Sequence, residues 1–148
     1  MLEKYQAKRK FERTSEPKGA VAKKSLSCFV VQEHHARNLH FDFRLEMDGV
    51  LKSWAVPKGI PEQAGVKRLA VAVEDHPVEY INFAGTIPAG EYGAGTVKIW
   101  DKGKWKLTEG GFEKGSMKFE LAGKKLKGEF VLVRLKDWKN WLIYKIAS

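Results

Sequence analysis

The sequence predicts a small all-β protein, a closed β-barrel of about eight strands with short helices and a basic N-terminal arm. Three observations point there. Short apolar or alternating runs recur along the chain, separated by Gly, Pro and Asp-Gly signals. No stretch longer than about nine residues sustains a helical period. So many strands in 148 residues favour closure, which leaves no exposed sheet edge; a sandwich is the alternative.

The elements follow in order. Residues 1–25 form a basic, polar arm carrying Lys4, Lys8, Arg9, Lys10, Arg13, Lys18, Lys23 and Lys24. Such a run is usually solvated and partly disordered; the sharper alternative is an arm that packs over a phosphate site. Residues 28–32 make a first strand. Residues 40–47 make a second, closed by Asp48-Gly49, a strong two-residue hairpin signal. Residues 50–56 follow and stop at Pro57 and Gly59. Residues 68–74 are mostly apolar on both parities, as in a strand inside a barrel or sandwich, and Pro77 ends them. A glycine-rich stretch, IPAGEYGAG, reads as a tight turn between strands, because no Lys-Ser/Thr follows it as in a phosphate-cradling loop. Residues 96–100 and 105–108 read as two strands separated by a turn at Asp101-Lys102-Gly103. Residues 117–121, 129–135 and 141–146 complete the set. A short helix is expected around residues 61–66 or in the arm. With no repeat and no linker, residues 1–148 read as one domain, with the arm contributing to its site.

Composition bounds the partners. The chain carries a net charge of +9 at 43% hydrophobic residues, so it can bury a core and still attract a polyanion. One cysteine, Cys28, excludes an internal disulfide and a thiolate zinc cluster. It precedes an apolar run and reads as buried and inert. No apolar run approaches the roughly 20 residues needed to span a bilayer. The N-terminus lacks the apolar core of a secretory leader. The expected location is the cytoplasm, away from membranes.

The second strand carries the chemistry. Phe41, Phe43, Leu45 and Met47 fall on one parity, and His40, Asp42, Arg44 and Glu46 on the other. Successive strand side chains point to opposite faces, so one face is apolar and the other holds imidazole, carboxylate and guanidinium. His34 lies upstream, where a bend or loop can return it to the same point. Two imidazoles and a carboxylate, His34, His40 and Asp42, suit Mn²⁺, Zn²⁺, Fe²⁺ or Co²⁺ and leave open positions. Arg44 shares the face, and its planar fork grips a phosphate through two oxygens. Lys58 and Arg68 are read as reaching the same space across the barrel, or else as surface charges at strand ends. His76 ends a strand in EDHP, where it can pass a proton or bind a phosphate oxygen. Tyr80 is a phosphate donor or a core residue. His35 has no partner and is left to solvent.

The strings QEHHARNLHFDFRLEMDGVLKSWAVPKG, KRLAVAVEDHPVEY and GTIPAGEYGAGTVKIWDKG resemble the 3′-phosphoesterase domain of bacterial DNA ligase D and its free-standing archaeal relatives. The resemblance runs from about Tyr5 through LKGEFVLVRLK and WLIYK. It implies a compact, manganese-dependent β-barrel enzyme, with Zn²⁺ or Co²⁺ as other occupants. Such an enzyme removes a 3′-terminal ribonucleoside from a DNA or DNA/RNA primer–template end, then the 3′-phosphate, leaving a 3′-OH for repair by end joining. By the same resemblance His34, His40 and Asp42 are the metal ligands. Arg44, Lys58, Arg68, His76 and Tyr80 match phosphate-binding and catalytic positions, and Gln32 a supporting one. In the arm motif KRxFxxTxEP, Arg9 and Glu16 match functional residues. Lys10 stands where the family commonly has aspartate, a charge reversal beside Arg9. With no polymerase or ligase module in the chain, separate ligase, polymerase and end-binding proteins are the expected partners. Two other readings fit the pattern: a non-haem iron(II) oxygenase using His40, Asp42 and His76, and a non-catalytic nucleic-acid-binding barrel.

Overall fold

Strands pair antiparallel around a ring in the computed structural model, which describes residues 1–19 and 27–146. Lys23 and Lys24 of the basic run lie outside the described residues. The strands are β1 (Cys28–His35), β2 (Leu39–Met47), β3 (Val50–Val56), β4 (Lys67–His76), β5 (Gly85–Ile87), β6 (Gly95–Gly111), β7 (Ser116–Ala122), β8 (Lys127–Arg134) and β9 (Asn140–Lys145). The hydrogen-bonded order is β1-β2-β3-β4-β9-β8-β7-β6, and β6 pairs back onto β1. The predicted all-β barrel therefore forms, with eight strands in the closed ring and β5 added outside on β6. Among the described residues, helix is confined to α1 (Glu3–Ala7) in the arm and a 3-10 turn over Val78–Asn82. No helix among the described residues is long and apolar enough to cross a membrane.

Local chemistry explains the joints. Asp48 and Gly49 both take positive φ, 54° and 82°, the pair of left-handed residues that a type I′ hairpin needs. The expected turn at Asp101-Lys102-Gly103 does not form: β6 runs unbroken through it for 17 residues. Both turn-forming residues have other work. The buried Asp101 carboxylate accepts the backbone N–H groups of Lys124, Lys125 and Leu126, and so holds the β7–β8 hairpin instead. Gly103 lets β7 approach, because a Cβ there would sit 2.1 Å from the Ala122 carbonyl oxygen. Residues 61–66 form no helix and are tied to β9 only by a bridge from Ala64 to Lys145. Cys28 is half-buried rather than buried, with Lys104 Nζ 3.3 Å from its sulfur.

Two apolar clusters sit on opposite sides of the wall. Phe29, Phe43, Leu45, Trp54, Phe119, Phe130, Leu132 and Trp141 belong to the larger one, fed by strands all around the ring, and fill the lumen. Aromatic side chains dominate that interior, as expected of a packed core. The second cluster, Tyr5, Val30, Leu51, Tyr80, Ile81, Phe83, Ile87 and Val97, lies on the outer face. It glues α1 and the 3-10 turn to β1 and β3. The arm is packed through a few residues, Leu2, Tyr5 and Glu16, while Lys4, Lys8, Lys10, Arg13 and Lys18 remain exposed as expected.

Candidate metal and phosphate site

Strand parity sends the apolar row of β2 into the lumen and the row His40, Asp42, Arg44 and Glu46 onto the outer wall. The site is therefore outside the barrel, beneath the arm and the 3-10 turn, and is not reached across the interior. β1 extends to His35, so His34 stands on a strand and not in a loop. The β1–β2 register sets His34 opposite His40 and Gln32 opposite Asp42. Directly opposed residues share a face, which brings the two imidazole rings to 4.8 Å.

The histidine bonding fixes which nitrogens face inward. His34 donates Nε2–H to the Gly93 carbonyl at 2.8 Å, and His40 donates Nδ1–H to the Asn38 carbonyl at 3.0 Å. A carbonyl can only accept, so the proton of each neutral ring is committed outward. His34 Nδ1 and His40 Nε2 then face the Asp42 carboxylate, at 3.5 and 3.3 Å. One ligand atom from each of the three lies within 4.8 Å of the others. Lone pairs aimed at a carboxylate repel unless positive charge lies between them. Burial pushes the Asp42 carboxyl up, but where the inward nitrogens carry protons instead of facing a cation, hydrogen bonds from His34 and His40 and the charge of Arg44 outweigh it and hold it well below the usual range. His40 is raised, chiefly by its bond to Asp42. This donor set fits a divalent cation, with backbone carbonyls orienting the rings from behind as in metal centres.

Behind the three ligands a cationic wall is built. Arg44 Nε donates to Gln32 Oε1 at 2.7 Å, and its guanidinium lies 4.8 Å from the centre of the Tyr80 ring. Arg44 Nη2 sits 3.6 Å from Asp42, while Nη1 is buried without a hydrogen-bond partner. Gln32 is fully buried and donates to the Tyr80 and Phe83 carbonyls at 2.8 and 3.1 Å. It therefore ties the 3-10 turn to β1 and aims Arg44. Glu16, from the arm, accepts from Arg9 Nε at 2.9 Å and from the Tyr80 hydroxyl at 2.7 Å. The Tyr80 phenol is thereby committed to Glu16, and burial holds its proton on more tightly than in water. His76 donates Nδ1–H to the Glu74 carbonyl, and its Nε2 accepts from Arg9 Nη2 at 3.3 Å. Burial, then Arg44 and Arg9, push His76 well below its usual pKa, so the ring is neutral.

A cavity of about 330 Å³ gathers Arg9, His34, His40, Asp42, Arg44, His76 and Tyr80. Gln32 and Glu16 stand behind it. Lys58 and Arg68 are not among its lining residues. Lys58 is exposed, and Arg68 donates to the Lys58 and Gly59 carbonyls and lines a separate hollow with Ile60, Pro61 and Val66. Lys10 points to solvent. His35 is exposed at the end of β1, paired with Glu33. His76 is not in the ligand group, so the iron triad of His40, Asp42 and His76 is not assembled. Among the lining residues that the sequence did not assign to the site, Glu74 pairs with Arg9 and Lys8, Gly93 orients His34, and Tyr92 stands at the rim. Tyr92 and Gly93 belong to the stretch IPAGEYGAG, read from sequence as a tight turn.

The family model for the DNA Ligase D 3′-phosphoesterase domain matches residues 32–134. The multifunctional non-homologous end joining protein LigD of Pseudomonas aeruginosa is 51% identical over 139 residues, covering 90% of this chain and 16% of that protein. The protein of the same description from Mycolicibacterium smegmatis is 47% identical over 129 residues, covering 81% of this chain and 17% of its own length. The multifunctional non-homologous end joining DNA repair protein LigD of Mycobacterium tuberculosis is 46% identical over 124 residues, covering 82% and 16%. The chain thus spans about a sixth of the length of these relatives.

Proposed function

The chain belongs to the DNA ligase D 3′-phosphoesterase domain family, and from that premise we propose that it is a metal-dependent phosphoesterase that heals DNA 3′ ends for end joining. It removes a 3′-terminal ribonucleoside and then the 3′-phosphate, leaving a 3′-OH. The observation that carries this reading is the buried, partnerless Nη1 of Arg44 beside the His34, His40 and Asp42 group. A buried charged donor without an acceptor is costly, and an anion in the cavity relieves it.

His34, His40 and Asp42 hold the cation, with Mn²⁺ as the favoured occupant and Zn²⁺ or Co²⁺ as others that the donor types accept. A bound divalent cation supplies Lewis-acid polarisation of a phosphoryl oxygen. Arg44 takes a second phosphoryl oxygen and offsets the charge that grows there in the transition state. Gln32 and the Tyr80 ring hold that guanidinium still, so little reorganisation accompanies the reaction. Glu16 keeps Arg9 turned toward His76. Neutral His76, its Nε2 accepting from Arg9 Nη2, holds that guanidinium at the cavity wall, and it can exchange a proton with the reacting oxygens only once Arg9 turns from it to the phosphate. Lys58 and Arg68, at the end of the barrel, act on the nucleic acid away from the scissile phosphate. The substrate is a DNA or DNA/RNA primer–template 3′ end, and separate or linked ligase and polymerase activities take up the product.

The test uses a primer–template carrying one 3′-terminal ribonucleotide, with Mn²⁺, and controls containing EDTA or His40→Ala. Stepwise shortening to a 3′-OH, lost in both controls, is the expected result. An unchanged primer, or cleavage that survives both controls, refutes the assignment.

A further inference from the structure

A second groove opens from the rim of the cavity. About 550 Å³ in volume, it shares Val73, Glu74 and Tyr92 with the cavity and continues to Lys4, Lys8, Trp138 and Lys139. Its aromatics are unusually open, with Tyr92 49% and Trp138 62% exposed. Trp138 is also held in a costly conformation, with φ at +64° in the β8–β9 turn. Bulky residues rarely adopt that region without a reason. The turn is pinned: Asp137 accepts from the backbone of Lys139 and Asn140, and the Leu135 carbonyl accepts from Trp138 N–H. The Arg134 guanidinium covers one face of the Trp138 ring, which leaves the other to solvent.

The charge of the groove is positive once its pairs are counted. Lys4, Lys8 and Lys139 outnumber Glu74 and Asp137, and Glu74 pairs with Arg9 and Lys8, whereas Asp137 keeps its charge within the turn. Lys4 and Lys139 line the same groove as the open indole. Rigid aromatic faces between cations are what unpaired nucleotides require: stacking for the base and positive charge for the backbone.

We propose that this groove seats the unpaired nucleotides of a primer–template end, with Trp138 as a base-stacking platform and Lys4 and Lys139 on their phosphates. The inference rests on the phosphoesterase reading, and it adds a strand-binding subsite that guides the end past Tyr92 into the cavity. Trp138 touches neither metal ligands nor Arg44, so small substrates are indifferent to it.

Fluorescence anisotropy with a single-stranded oligonucleotide ending in 3′-phosphate, in EDTA, measures strand affinity without turnover. Trp138→Ala should weaken binding roughly five- to a hundredfold, the size of one base–aromatic stack, and Trp138→Phe should retain most of it. Lys139→Ala should lower the salt slope of binding by about 0.7. Phosphate release from thymidine 3′-monophosphate under Mn²⁺ should be the same in wild type and Trp138→Ala. Unchanged strand affinity in Trp138→Ala overturns the inference. So does an equal loss on a blunt hairpin, which would place the indole on a duplex end. The two readings fail separately: wild type that releases no phosphate refutes the phosphoesterase, whereas unchanged affinity refutes the groove.

Discussion

Replacing Gln32 with leucine isolates the clamp that aims Arg44. The two side chains are similar in volume, so packing changes little and the cost is polar. Gln32 makes three hydrogen bonds: from Arg44 Nε, and to the carbonyls of Tyr80 and Phe83. They are not of equal weight. The Tyr80 carbonyl also accepts from Phe83 N–H at 3.0 Å and stays partnered after the substitution. Arg44 Nε loses a bond to a charged group, about 1.5–3 kcal/mol, and the Phe83 carbonyl loses a buried donor, about 1–3 kcal/mol. The sum is roughly 2.5–6 kcal/mol, a large part of a total stability of about 5–15 kcal/mol. For a chain of this size that lowers Tm by roughly 5–25 °C. Urea unfolding gives the free energy directly, and 3′-phosphate release below the new Tm reports the aim of Arg44. A loss under about 1 kcal/mol with full activity would mean that neither group needs Gln32, and the clamp argument would fail.

Arg44→Lys keeps the charge but not the fork; kcat for 3′-phosphate release should fall about 10²–10³-fold, and an undiminished rate would remove Arg44 from the phosphate. His76 gives a pH test. Its folded pKa lies below the unfolded value near 6.5, so its contribution is present above that pH and is lost as pH falls toward the folded pKa. Wild type should lose about 1.4 kcal/mol per pH unit in that window relative to His76→Gln, whose amide oxygen still accepts from Arg9; identical pH slopes in urea titrations would refute a neutral His76. Mn²⁺ at a hundredfold excess over its Kd should stabilise wild type by about 2.7 kcal/mol and leave Asp42→Asn unmoved. Equal thermal shifts in both would place the cation elsewhere.

Much of this was legible because strands write their faces at period two. The alternation from His40 to Glu46 identified the polar face of β2 on which the candidate ligands His40 and Asp42 stand, and Asp48-Gly49 identified the turn that returns it. What failed was long-range. Asp101 and Gly103 have turn chemistry, but the partner that uses it is the hairpin at Lys124 to Leu126, invisible to a local reading. Period two also cannot say which face turns inward, so Lys58 and Arg68 were sent toward a lumen that aromatics fill. Gln32 and Glu16 came from the family resemblance and not from local pattern, since a buried amide looks like any other until its carbonyl partners are known. The strand β5, three residues long, is too short to carry a periodic signal.

The three candidate ligands and Arg44 all come from one hairpin, whereas the other groups of the cavity wall arrive from far along the chain. Arg9 meets His76 across 67 residues and Glu16 meets Tyr80 across 64. Hairpins form within about 1–10 μs, while distant pairings wait on loop closure and on the ring itself. The molecule therefore has a built-in order of assembly, in which it can hold an ion before it can process an end. Divalent cation should then accelerate refolding, because the hairpin is already formed at the barrier; if it only slows unfolding, the hairpin matures after it. An arm that peels away from the finished barrel would likewise take Arg9 and Glu16 from the cavity and leave His34, His40 and Asp42 together on their hairpin.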